Sequence, residues 1–470
     1  MSRLIVISNR VSTPKARSAN GSQGGLAVAL AAALREYRGL WFGWSGEKTD
    51  EFTGQINLHR EEGVTTATID LEEQDINEYY NGYANRTLWP LFHYRIDLAE
   101  YDRSFGAGYE RVNERFAETV TPLIEPDDLI WVHDYHLIPL GQQLRQRGLR
   151  NRIGFFLHIP WPPQRLLVSL PFHERLVKSM LAYDLIGFHT DEWLESFHHY
   201  ITRELGGTVA EDGTVTVGSR TVKTAAFPIG IDFSEFADTL ASDETKAAFE
   251  TLKRSAEQKK IIIGVDRLDY SKGLEERFRG YRRFLQEHDE WRGRVSFLQI
   301  APPSREEVHT YEAIRERLDE LSGRINGEFA EVDWVPIRYV NQGYPRQALA
   351  GFYRASDVAL ITPLRDGMNL VAKEFIASQD PADPGVLILS RFAGAAHQLK
   401  QALLVNPYSK DELSDAIRAA LDMPKPERIR RWEEMVDNVR REDVLAWRHA
   451  FVEALQGVNA AQAAAPVPTH

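Results

Sequence analysis

Short apolar runs alternate with longer helical patterns over almost the whole 470-residue chain, and this alternation limits the fold more than any other feature. Strand-like runs separated by helices are typical of parallel sheets, because two parallel strands need a long crossover connection between them. The runs form two series, and the second begins after a polar, charged stretch at 242–260. The predicted strands span 4–8, 64–69, 129–133, 153–158, 185–188 and 225–228 in the first series, and 261–265, 295–300, 332–335, 358–362, 386–389 and 403–405 in the second.

The two series predict an α/β fold with two Rossmann-like, doubly wound domains that face a central cleft. Such folds bind ligands beyond the carboxyl ends of their strands, so we expect the substrates in that cleft. We place the hinge between the domains near 231–245. The expected domain limits are 1–238 and 239–440, followed by a helix at 441–456 that packs back toward the first domain and a disordered Ala/Pro-rich tail at 457–470. Within the first domain we also expect helices at 26–37 and 192–205 and a hairpin at 208–223.

Charge and cysteine content exclude several classes of function. The chain has 56 Lys and Arg against 68 Asp and Glu, and this net charge of −12 argues against nonspecific binding of nucleic acid. It has no cysteine, which excludes disulfides, thiolate metal sites and a cysteine nucleophile. The first apolar run is too short for a signal peptide, and the stretch 24–34 is about half a membrane span. We therefore expect a cytoplasmic protein with neither a nucleic acid nor a membrane as partner.

Functional groups of open α/β sheets gather in the loops just after strands. The first predicted strand is followed by Arg10 and then by a glycine-bearing loop at 21–25 that opens into a helix. Glycines let a backbone approach a ligand closely, and a helix start favours a phosphate or a sugar oxygen. A flexible turn explains the same pattern equally well.

Two later strands of the first series end in histidines. His133 ends one strand and is followed by Asp134 and His136, and His158 ends the next strand. The first group fits an acid/base group, a hydroxyl-binding carboxylate or a metal site, although ligands so close together on one turn seldom converge. His158 is either a structural residue or a functional one held by the proline-rich segment behind it.

The second series carries a more specific pattern. Arg267 and Lys272 lie five residues apart on the loop after the first strand of the series. Two cations on a tight loop suit a diphosphate, whose charge is spread over several oxygens. Neutralisation by Asp266 and Asp269 on the same loop is the alternative.

A later loop, after the strand predicted at 358–362, feeds a helix start. It places Asp366 in the loop and Glu374 inside the helix. Backbone amides at a helix start can hold an anionic or polar group, and a carboxylate one turn further on suits ribose hydroxyls. A capping Asp and a surface Glu are the simpler reading.

The strand ends and the segments near them carry a set of ordered motifs, which are Ser8-Asn9-Arg10, Trp41-Phe42-Gly43-Trp44-Ser45-Gly46, Tyr79-Tyr80-Asn81, Leu88-Trp89-Pro90, His133-Asp134-Tyr135-His136, Phe156-Leu157-His158-Ile159-Pro160, Arg267-Leu268-Asp269-Tyr270-Ser271-Lys272-Gly273 and Thr362-Pro363-Leu364-Arg365-Asp366-Gly367-Met368-Asn369-Leu370-Val371-Ala372-Lys373-Glu374. Taken together, these segments resemble the trehalose-6-phosphate synthases, which are retaining glycosyltransferases of the GT-B fold, from residue 3 to about 455. The resemblance implies transfer of glucose from UDP-glucose to glucose 6-phosphate, giving α,α-trehalose 6-phosphate and UDP, without a cofactor and by a homo-oligomer, a dimer or tetramer.

On the donor side, the resemblance implies that Arg267 and Lys272 bind the diphosphate and stabilise UDP as it leaves. Glu374 would hold the ribose, and Asp366 would grip the glucose hydroxyls. The donor-binding residues that it implies are Gly24, Gly25, Arg267, Lys272, Tyr344, Asp366, Gly367, Met368, Asn369, Leu370, Val371 and Glu374.

On the acceptor side, the resemblance implies that Asp134 binds sugar hydroxyls and that Trp89 shapes the pocket. Asp134 is also a conceivable nucleophile of a double displacement, although we favour it as an acceptor ligand. His158 would contact the donor sugar through its ring or its backbone carbonyl. The acceptor-binding residues implied are Arg10, Tyr80, Trp89, Asp134 and Arg305, and the catalytic residues implied are Arg267, Lys272, Asp134 and His158.

Some alternatives stay open. Tyr344 stands where the family often has Phe, which leaves the preference among uracil, guanine and adenine undecided. The chain has no Asp-x-Asp triplet, so we expect no metal and activity that survives EDTA. A pseudo-glycosyltransferase that couples a nucleotide-activated cyclitol to a sugar or cyclitol phosphate would share this scaffold. A non-catalytic sugar-phosphate sensor would be expected to lack some charged site residues, yet all are present.

Overall fold

The structure, a computed structural model, describes residues 3–11, 34, 39–61, 63–304 and 309–458. Several expectations fall outside these residues. They are the donor-binding Gly24 and Gly25, the acceptor-binding Arg305, most of the helix at 26–37 and nearly all of the tail at 457–470.

The described chain forms two compact units. Unit 1 extends to Pro228 and takes in the chain again from Leu445, whereas unit 2 is Ile229–Val444. The first change of unit thus falls upstream of the limit at 238 expected from the sequence. Each unit is built on a mainly parallel sheet, which confirms the predicted α/β class. In the described part of the chain, no helix combines the length and apolar character needed to cross a membrane.

Unit 1 contains one sheet of ten strands. The strands are β1 (Leu4–Arg10), β2 (Leu40–Thr49), β3 (Asn57–Glu61), β4 (Val64–Glu72), β5 (Leu129–His133), β6 (Ile153–Phe156), β7 (Leu185–Phe188), β8 (Thr208–Val209), β9 (Thr214–Val217) and β10 (Arg220–Ala226). Their order is β3-β4-β2-β1-β5-β6-β7-β10-β9-β8. In this spatial order, the seven neighbouring strands β4, β2, β1, β5, β6, β7 and β10 run parallel. At one edge β3 pairs antiparallel with β4, and at the other edge β9 and β8 add antiparallel pairs.

The described helices of unit 1 cover this sheet and include one long π-helix, at Ile76–Leu88. The α-helices are α1 (Glu73–Asp75), α2 (Trp89–Phe92), α3 (Arg103–Val120), α4 (Leu140–Gln146), α5 (Gln164–Leu167), α6 (His173–Met180) and α7 (Asp191–Glu204).

Unit 2 contains a sheet of six parallel strands in the described residues. They are β11 (Lys260–Val265), β12 (Val295–Ile300), β13 (Ile337–Val340), β14 (Val358–Ile361), β15 (Val386–Ser390) and β16 (Leu403–Val405). Their order is β13-β12-β11-β14-β15-β16.

The described helices of unit 2 follow its strands in the βα alternation that the sequence predicted, and a last helix leads back to unit 1. The described helices of unit 2 are α8 (Phe233–Ala241), α9 (Asp243–Ala256), α10 (Leu274–Glu287), α11 (His309–Phe329), α12 (Arg346–Ala355), α13 (Leu370–Ser378), α14 (Lys410–Asp422) and α15 (Lys425–Arg441). The last helix, α16 (Val444–Gly457), belongs to unit 1 from Leu445 on.

Each sheet has one point at which the order of its strands reverses. In unit 1, β1 lies between β2 and β5, and in unit 2, β11 lies between β12 and β14. Connections that leave such a strand in opposite directions open a crevice at its carboxyl end, where α/β proteins bind their ligands. Arg10 ends β1, and Arg267 follows β11 by two residues, so the topology puts both predicted cations at a reversal point.

The prediction of a strand at 332–335 was wrong. This segment is a turn in which Glu331 and Trp334 form an isolated bridge, and Val332 is fully exposed. The strand that pairs with β12 is the next apolar run, Ile337–Val340. Trp334 instead donates its indole N–H to the carbonyl of Val295 at 2.7 Å, so this one apolar residue of the turn packs at the start of β12.

The structure confirms antiparallel pairing within the hairpin predicted at 208–223, but the last strand of the hairpin and the strand predicted at 225–228 form one element. One strand, Arg220–Ala226, pairs with β9 through its first half and with β7 through its second half. The sequence reading also missed β2 and β3. Glycines at 43 and 46 interrupt the strand pattern of β2, and every residue of β3 is exposed.

Candidate active-site residues

One buried arginine supports the loop after β11. Arg277 has no exposed surface, and its Nη1 donates to Asp266 Oδ2 at 2.6 Å and to Gln299 Oε1 at 2.9 Å. Its Nε donates to Thr362 Oγ1 at 3.0 Å, and its Nη2 donates to the Lys272 carbonyl at 3.3 Å. A single guanidinium therefore links the carboxyl ends of β11, β12 and β14.

The two carboxylates of this loop serve its structure. Asp266 pairs with Arg277, although burial still raises the pKa of Asp266. Asp269 Oδ1 accepts from the Ser271 amide at 2.9 Å, and its Oδ2 accepts from the Tyr311 hydroxyl at 3.0 Å. The sequence left open whether these acids neutralise the two loop cations. In the structure, Asp266 forms its ion pair with Arg277, and Asp269 is hydrogen-bonded to Ser271 and Tyr311.

Lys272 instead pairs with a residue of the second predicted loop. Its Nζ lies 2.5 Å from Asp366 Oδ2, and the two side chains are only 11% and 14% exposed. Asn369 Nδ2 donates to the same oxygen at 3.1 Å. Arg267, on the same loop as Lys272, is exposed. The structure thus joins the two loops that flank the reversal point of unit 2 through one ammonium–carboxylate contact.

The helix α13 begins at this edge with a strained cap. Asn369 has a left-handed backbone (φ 84°), and its Oδ1 accepts from the Ala372 amide at 3.1 Å. Amides in the first turn of a helix have no acceptor within the helix, so those of Leu370 and Val371 are available to a ligand. Strained residues of this kind cluster at functional sites.

Close backbone packing fixes the loop before α13. The Ala395 amide donates to the Met368 carbonyl at 2.7 Å, and the Gly394 amide donates to the Asp366 carbonyl at 3.2 Å. A Cβ at Gly394 would lie 2.1 Å from the Gly367 carbonyl oxygen. Because backbone cannot move aside cheaply, Gly394 must stay a glycine if the loop is to keep its shape.

Two neighbouring ionisable residues of α13 have strongly shifted pKa values. Burial raises the pKa of Glu374 to about 7, against the opposing field of Arg346, although part of the side chain stays exposed. Burial lowers the pKa of Lys373 to about 7, and its Nζ donates to the Ile229 carbonyl at 2.7 Å. Lys373 therefore anchors the first residue of unit 2.

Tyr344 lies in the segment that leads into α12. Its ring meets Phe352 edge to face at 5.2 Å, and its hydroxyl accepts from Gln342 Nε2 at 2.9 Å. The side chain is partly exposed. The added hydroxyl is thus held by the protein itself.

In unit 1, the predicted acceptor residues Arg10 and Tyr80 belong to one row of side chains. The Arg10 guanidinium carbon lies 5.4 Å from the Trp44 ring centre, and Trp44 meets Tyr80 at 5.6 Å. Tyr80 in turn stacks on His136 at 5.9 Å. A Cβ at Gly46 (φ 93°) would lie 2.1 Å from Arg10 Nη2, so the glycine makes room for the guanidinium.

The π-helix Ile76–Leu88 carries Tyr80 and leads into α2, where Trp89 is located. The Tyr79 hydroxyl of the π-helix donates to Asn9 Oδ1 at 2.8 Å, which ties this helix to the end of β1. Trp89 is 5% exposed and lies 5.7 Å from Tyr135. π-Helices are rare in proteins, and those that occur are often found at functional sites.

Asp134 and His158 lie together at the ends of β5 and β6. Asp134 has a left-handed backbone (φ 76°), and its amide donates to the Phe156 carbonyl at 2.8 Å. Its Oδ1 accepts from the His158 amide at 3.2 Å. The ring of His158 is hydrogen-bonded through Nε2 to His133 Nδ1 at 2.9 Å.

Sequence reasoning missed the supporting residues of both crevices. Arg277 could have been noticed, because it is a charge on the apolar face of α10, beside Leu274, Phe278 and Tyr281. His133 was named only within the group His133, Asp134 and His136, and its contact with His158 was not predicted. Among the described residues, no group of three or more His, Asp or Glu side chains is placed to hold a metal ion.

Comparison with known proteins covers nearly the whole chain. The model of glycosyltransferase family 20 matches residues 2–457. Trehalose-6-phosphate synthase of Sinorhizobium fredii is 49% identical over 457 residues, 97% of this chain and 98% of that protein.

Two solved structures are similar throughout. The UDP-forming alpha,alpha-trehalose-phosphate synthase of Burkholderia xenovorans, in complex with glucose-6-phosphate, is 48% identical with a TM-score of 0.92, over 97% of this chain and 100% of that one. A structure from Escherichia coli, named for trehalose-6-phosphate and bound with UDP-2-fluoro glucose, is 43% identical with a TM-score of 0.93, over the same shares. The chain therefore belongs to glycosyltransferase family 20, as its motifs predicted.

Proposed function

We propose that this enzyme transfers glucose from UDP-glucose to glucose 6-phosphate with retention of configuration, giving α,α-trehalose 6-phosphate and UDP. The relatives that carry this activity in their names support the proposal. The observation that carries it in this molecule is the contact between Lys272 and Asp366 at the reversal point of unit 2, next to the loop position of Arg267.

On the donor side, we assign the diphosphate to Arg267 and Lys272. Lys272 is held by Asp366, which can also accept from sugar hydroxyls through its other oxygen. The remaining donor residues fit the parts of UDP-glucose around the diphosphate. The first-turn amides of Leu370 and Val371 suit a phosphate oxygen, Glu374 suits the ribose, Tyr344 suits the base, and Gly24, Gly25 and the backbone of Gly367, Met368 and Asn369 complete the proposed site.

On the acceptor side, we assign the phosphate of glucose 6-phosphate to Arg10, Tyr80 and Arg305. Arg10 lies beside Trp44, which limits the positions that its guanidinium can take. Asp134 would accept from sugar hydroxyls, and Trp89 would shape the pocket. His158 would contact the sugar that is transferred.

The chemical step needs no protein nucleophile. The bond between the anomeric carbon and the diphosphate oxygen breaks, the acceptor hydroxyl oxygen bonds to that carbon on the same face, and the hydroxyl proton passes to a departing phosphate oxygen. Negative charge on the diphosphate grows as its bond breaks. Fixed cations therefore stabilise the transition state more than the bound donor, and act on kcat more than on KM.

A coupled UDP-release assay tests the proposal. UDP-, GDP- and ADP-glucose are compared with glucose 6-phosphate and with glucose as acceptors, and the anomeric configuration of the product is read by NMR. We expect turnover with UDP-glucose and glucose 6-phosphate and an α,α-linked product. Turnover only with cyclitol substrates, or ligand binding without nucleotide release, would contradict the proposed function.

The proposal extends to assembly and location. We propose a homo-oligomer, a dimer or tetramer, in the cytoplasm. Light scattering on the eluted protein and fractionation of the cells that make it test the two statements. A monomer at assay concentration would contradict the first.

A further inference from the structure

We propose that His133 is a positioning residue that fixes His158 in the tautomer with its proton on Nδ1, so that His158 presents an N–H donor to the substrates. This inference deepens the proposed function and rests on it for its catalytic part. It starts from the contact between His133 Nδ1 and His158 Nε2, which are 2.9 Å apart. The two rings are nearly parallel, at 22°, with centres 5.3 Å apart.

The surroundings of His133 are apolar. The residue has no exposed surface, and its ring lies 4.6 Å from that of Trp131 and 6.3 Å from that of Trp447, centre to centre. Burial lowers the pKa of His133 well below its usual range, and the neighbouring His158 lowers it further. Burial, with His189 nearby, has the same effect on the pKa of His158. Both rings are therefore neutral at physiological pH.

Two neutral imidazoles joined by one hydrogen bond share a single proton in that bond, so one ring must donate and the other must accept. If His158 donated from Nε2, His133 would carry its own proton on Nε2. If His133 donates from Nδ1, its Nε2 carries only a lone pair.

The second arrangement is favoured because of what surrounds His133 Nε2. This atom is buried without a hydrogen-bond partner among the described residues, as are the indole N–H groups of Trp131 and Trp447. A buried N–H without an acceptor is rarer in proteins than an acceptor without a donor. His133 therefore donates from Nδ1.

The tautomer of His158 follows from the direction of this hydrogen bond. Since His158 accepts at Nε2, its own proton is on Nδ1. The side chain keeps part of its surface exposed, and Nδ1 makes no hydrogen bond to any described residue. His158 is thus a neutral donor suited to a sugar hydroxyl or to a departing phosphate oxygen, and it does not act as a base.

A pair of substitutions separates this role from mere packing. The side-chain amide of Asn places an N–H close to the position of His Nδ1, whereas Leu has about the right size and no donor. For His133→Leu we expect kcat to fall about tenfold with the KM for glucose 6-phosphate unchanged, the scale of loss when a partner that fixes a histidine tautomer is removed. For His133→Asn we expect kcat to stay within about threefold of the parent enzyme.

A purely structural role predicts the opposite order. In an apolar pocket, Leu is tolerated better than a buried amide, so a kcat lower in His133→Asn than in His133→Leu would overturn the proposal. His288→Leu is the matched control, because this histidine is also buried but lies in unit 2 beyond the end of α10. We expect its kcat to be unchanged.

A direct measurement on the full chain does not depend on turnover. With ¹⁵N-labelled histidine, and the His158 signals assigned by their loss in His158→Gln, we expect a protonated Nδ1 and an unprotonated Nε2. The reverse pattern would refute the proposal even if the enzyme makes trehalose 6-phosphate. Failure to transfer glucose, with the expected NMR pattern present, would instead refute the proposed function alone.

Discussion

The crevices of the two units are lined by different kinds of side-chain contact. In unit 2, ion pairs hold the loops at the reversal point, with Arg277 on Asp266 beneath and Lys272 on Asp366 above. In unit 1, the described residues near the reversal point include a row of rings that runs from Trp44 through Tyr80 to His136.

The difference matches the chemistry proposed for each side. A diphosphate that gains charge as it leaves needs cations that do not have to rearrange, and a buried network of hydrogen bonds keeps them in place. An acceptor sugar is mostly neutral and needs shape, with one cation for its phosphate. The four predictions below test whether the two crevices differ in this way, beginning with the largest expected effect.

The largest expected effect is the loss of folding stability when the ion pair between Arg277 and Asp266 is broken. In Arg277→Leu, Asp266 is left buried and unpaired, and we expect the free energy of unfolding to fall by about 3–5 kcal/mol. Urea unfolding measures the change. In the double variant Arg277→Leu/Asp266→Leu we expect part of the loss to be recovered, because no charge is then left unpaired. A loss below about 1 kcal/mol in the single variant would mean that the network does not hold the crevice.

Removing the exposed cation should affect chemistry more than stability. For Arg267→Ala we expect kcat to fall about a hundredfold or more, the size of loss seen when a charge-stabilising donor is removed. Steady-state kinetics with both substrates measures it. Arg294→Ala is the control, since this exposed arginine directly precedes β12 and so lies at the opposite ends of the strands. A change smaller than about threefold in Arg267→Ala would remove its proposed role.

In unit 1, Arg10 should affect the binding of glucose 6-phosphate and leave that of UDP-glucose largely unchanged. For Arg10→Leu we expect the KM for glucose 6-phosphate to rise about tenfold or more, since a charge-assisted contact to its phosphate is lost, while the KM for UDP-glucose changes little. Arg3→Leu, directly before the same strand and paired with Asp128, is the control. Equal changes in the KM values for both substrates would contradict the assignment of one substrate to each crevice.

The smallest expected effect concerns pH. The pKa of Glu374 is raised to about 7 in the folded protein from an ordinary 4.5. The folded state therefore holds a proton that the unfolded state releases between these pH values, and stability is lost as the pH rises through this window. Glu374→Gln cannot lose that proton, so its melting temperature should gain on that of the parent by a few degrees from pH 5 to pH 7.5. A constant difference across this range would contradict the assignment.

Much of the candidate site was predictable because its residues are local to strand ends. The motif from Arg267 to Lys272 follows β11 directly, and the loop with Asp366 follows β14. Strand bounds at 129–133, 185–188, 295–300 and 403–405 were predicted correctly, since short buried β-rich runs between turns allow few other readings.

Partners far apart in sequence could not be predicted in the same way. Lys272 and Asp366 are 94 residues apart, and the nearer Asp266 and Asp269 looked like equal candidates for the lysine. The strand predicted at 332–335 was wrong for a related reason, because a turn that contains several apolar residues has the same sequence pattern as a short strand.

The sequence by itself determined the class of fold, the family and the loops proposed to carry the chemistry, because each depends on hydrophobic period or on contiguous residues. Only the tertiary structure decided which charge pairs with which, and which nitrogen of His158 holds a proton. Those outcomes depend on burial and on distances of a few ångströms between separate elements, and such distances exist only once the sheets and helices have packed.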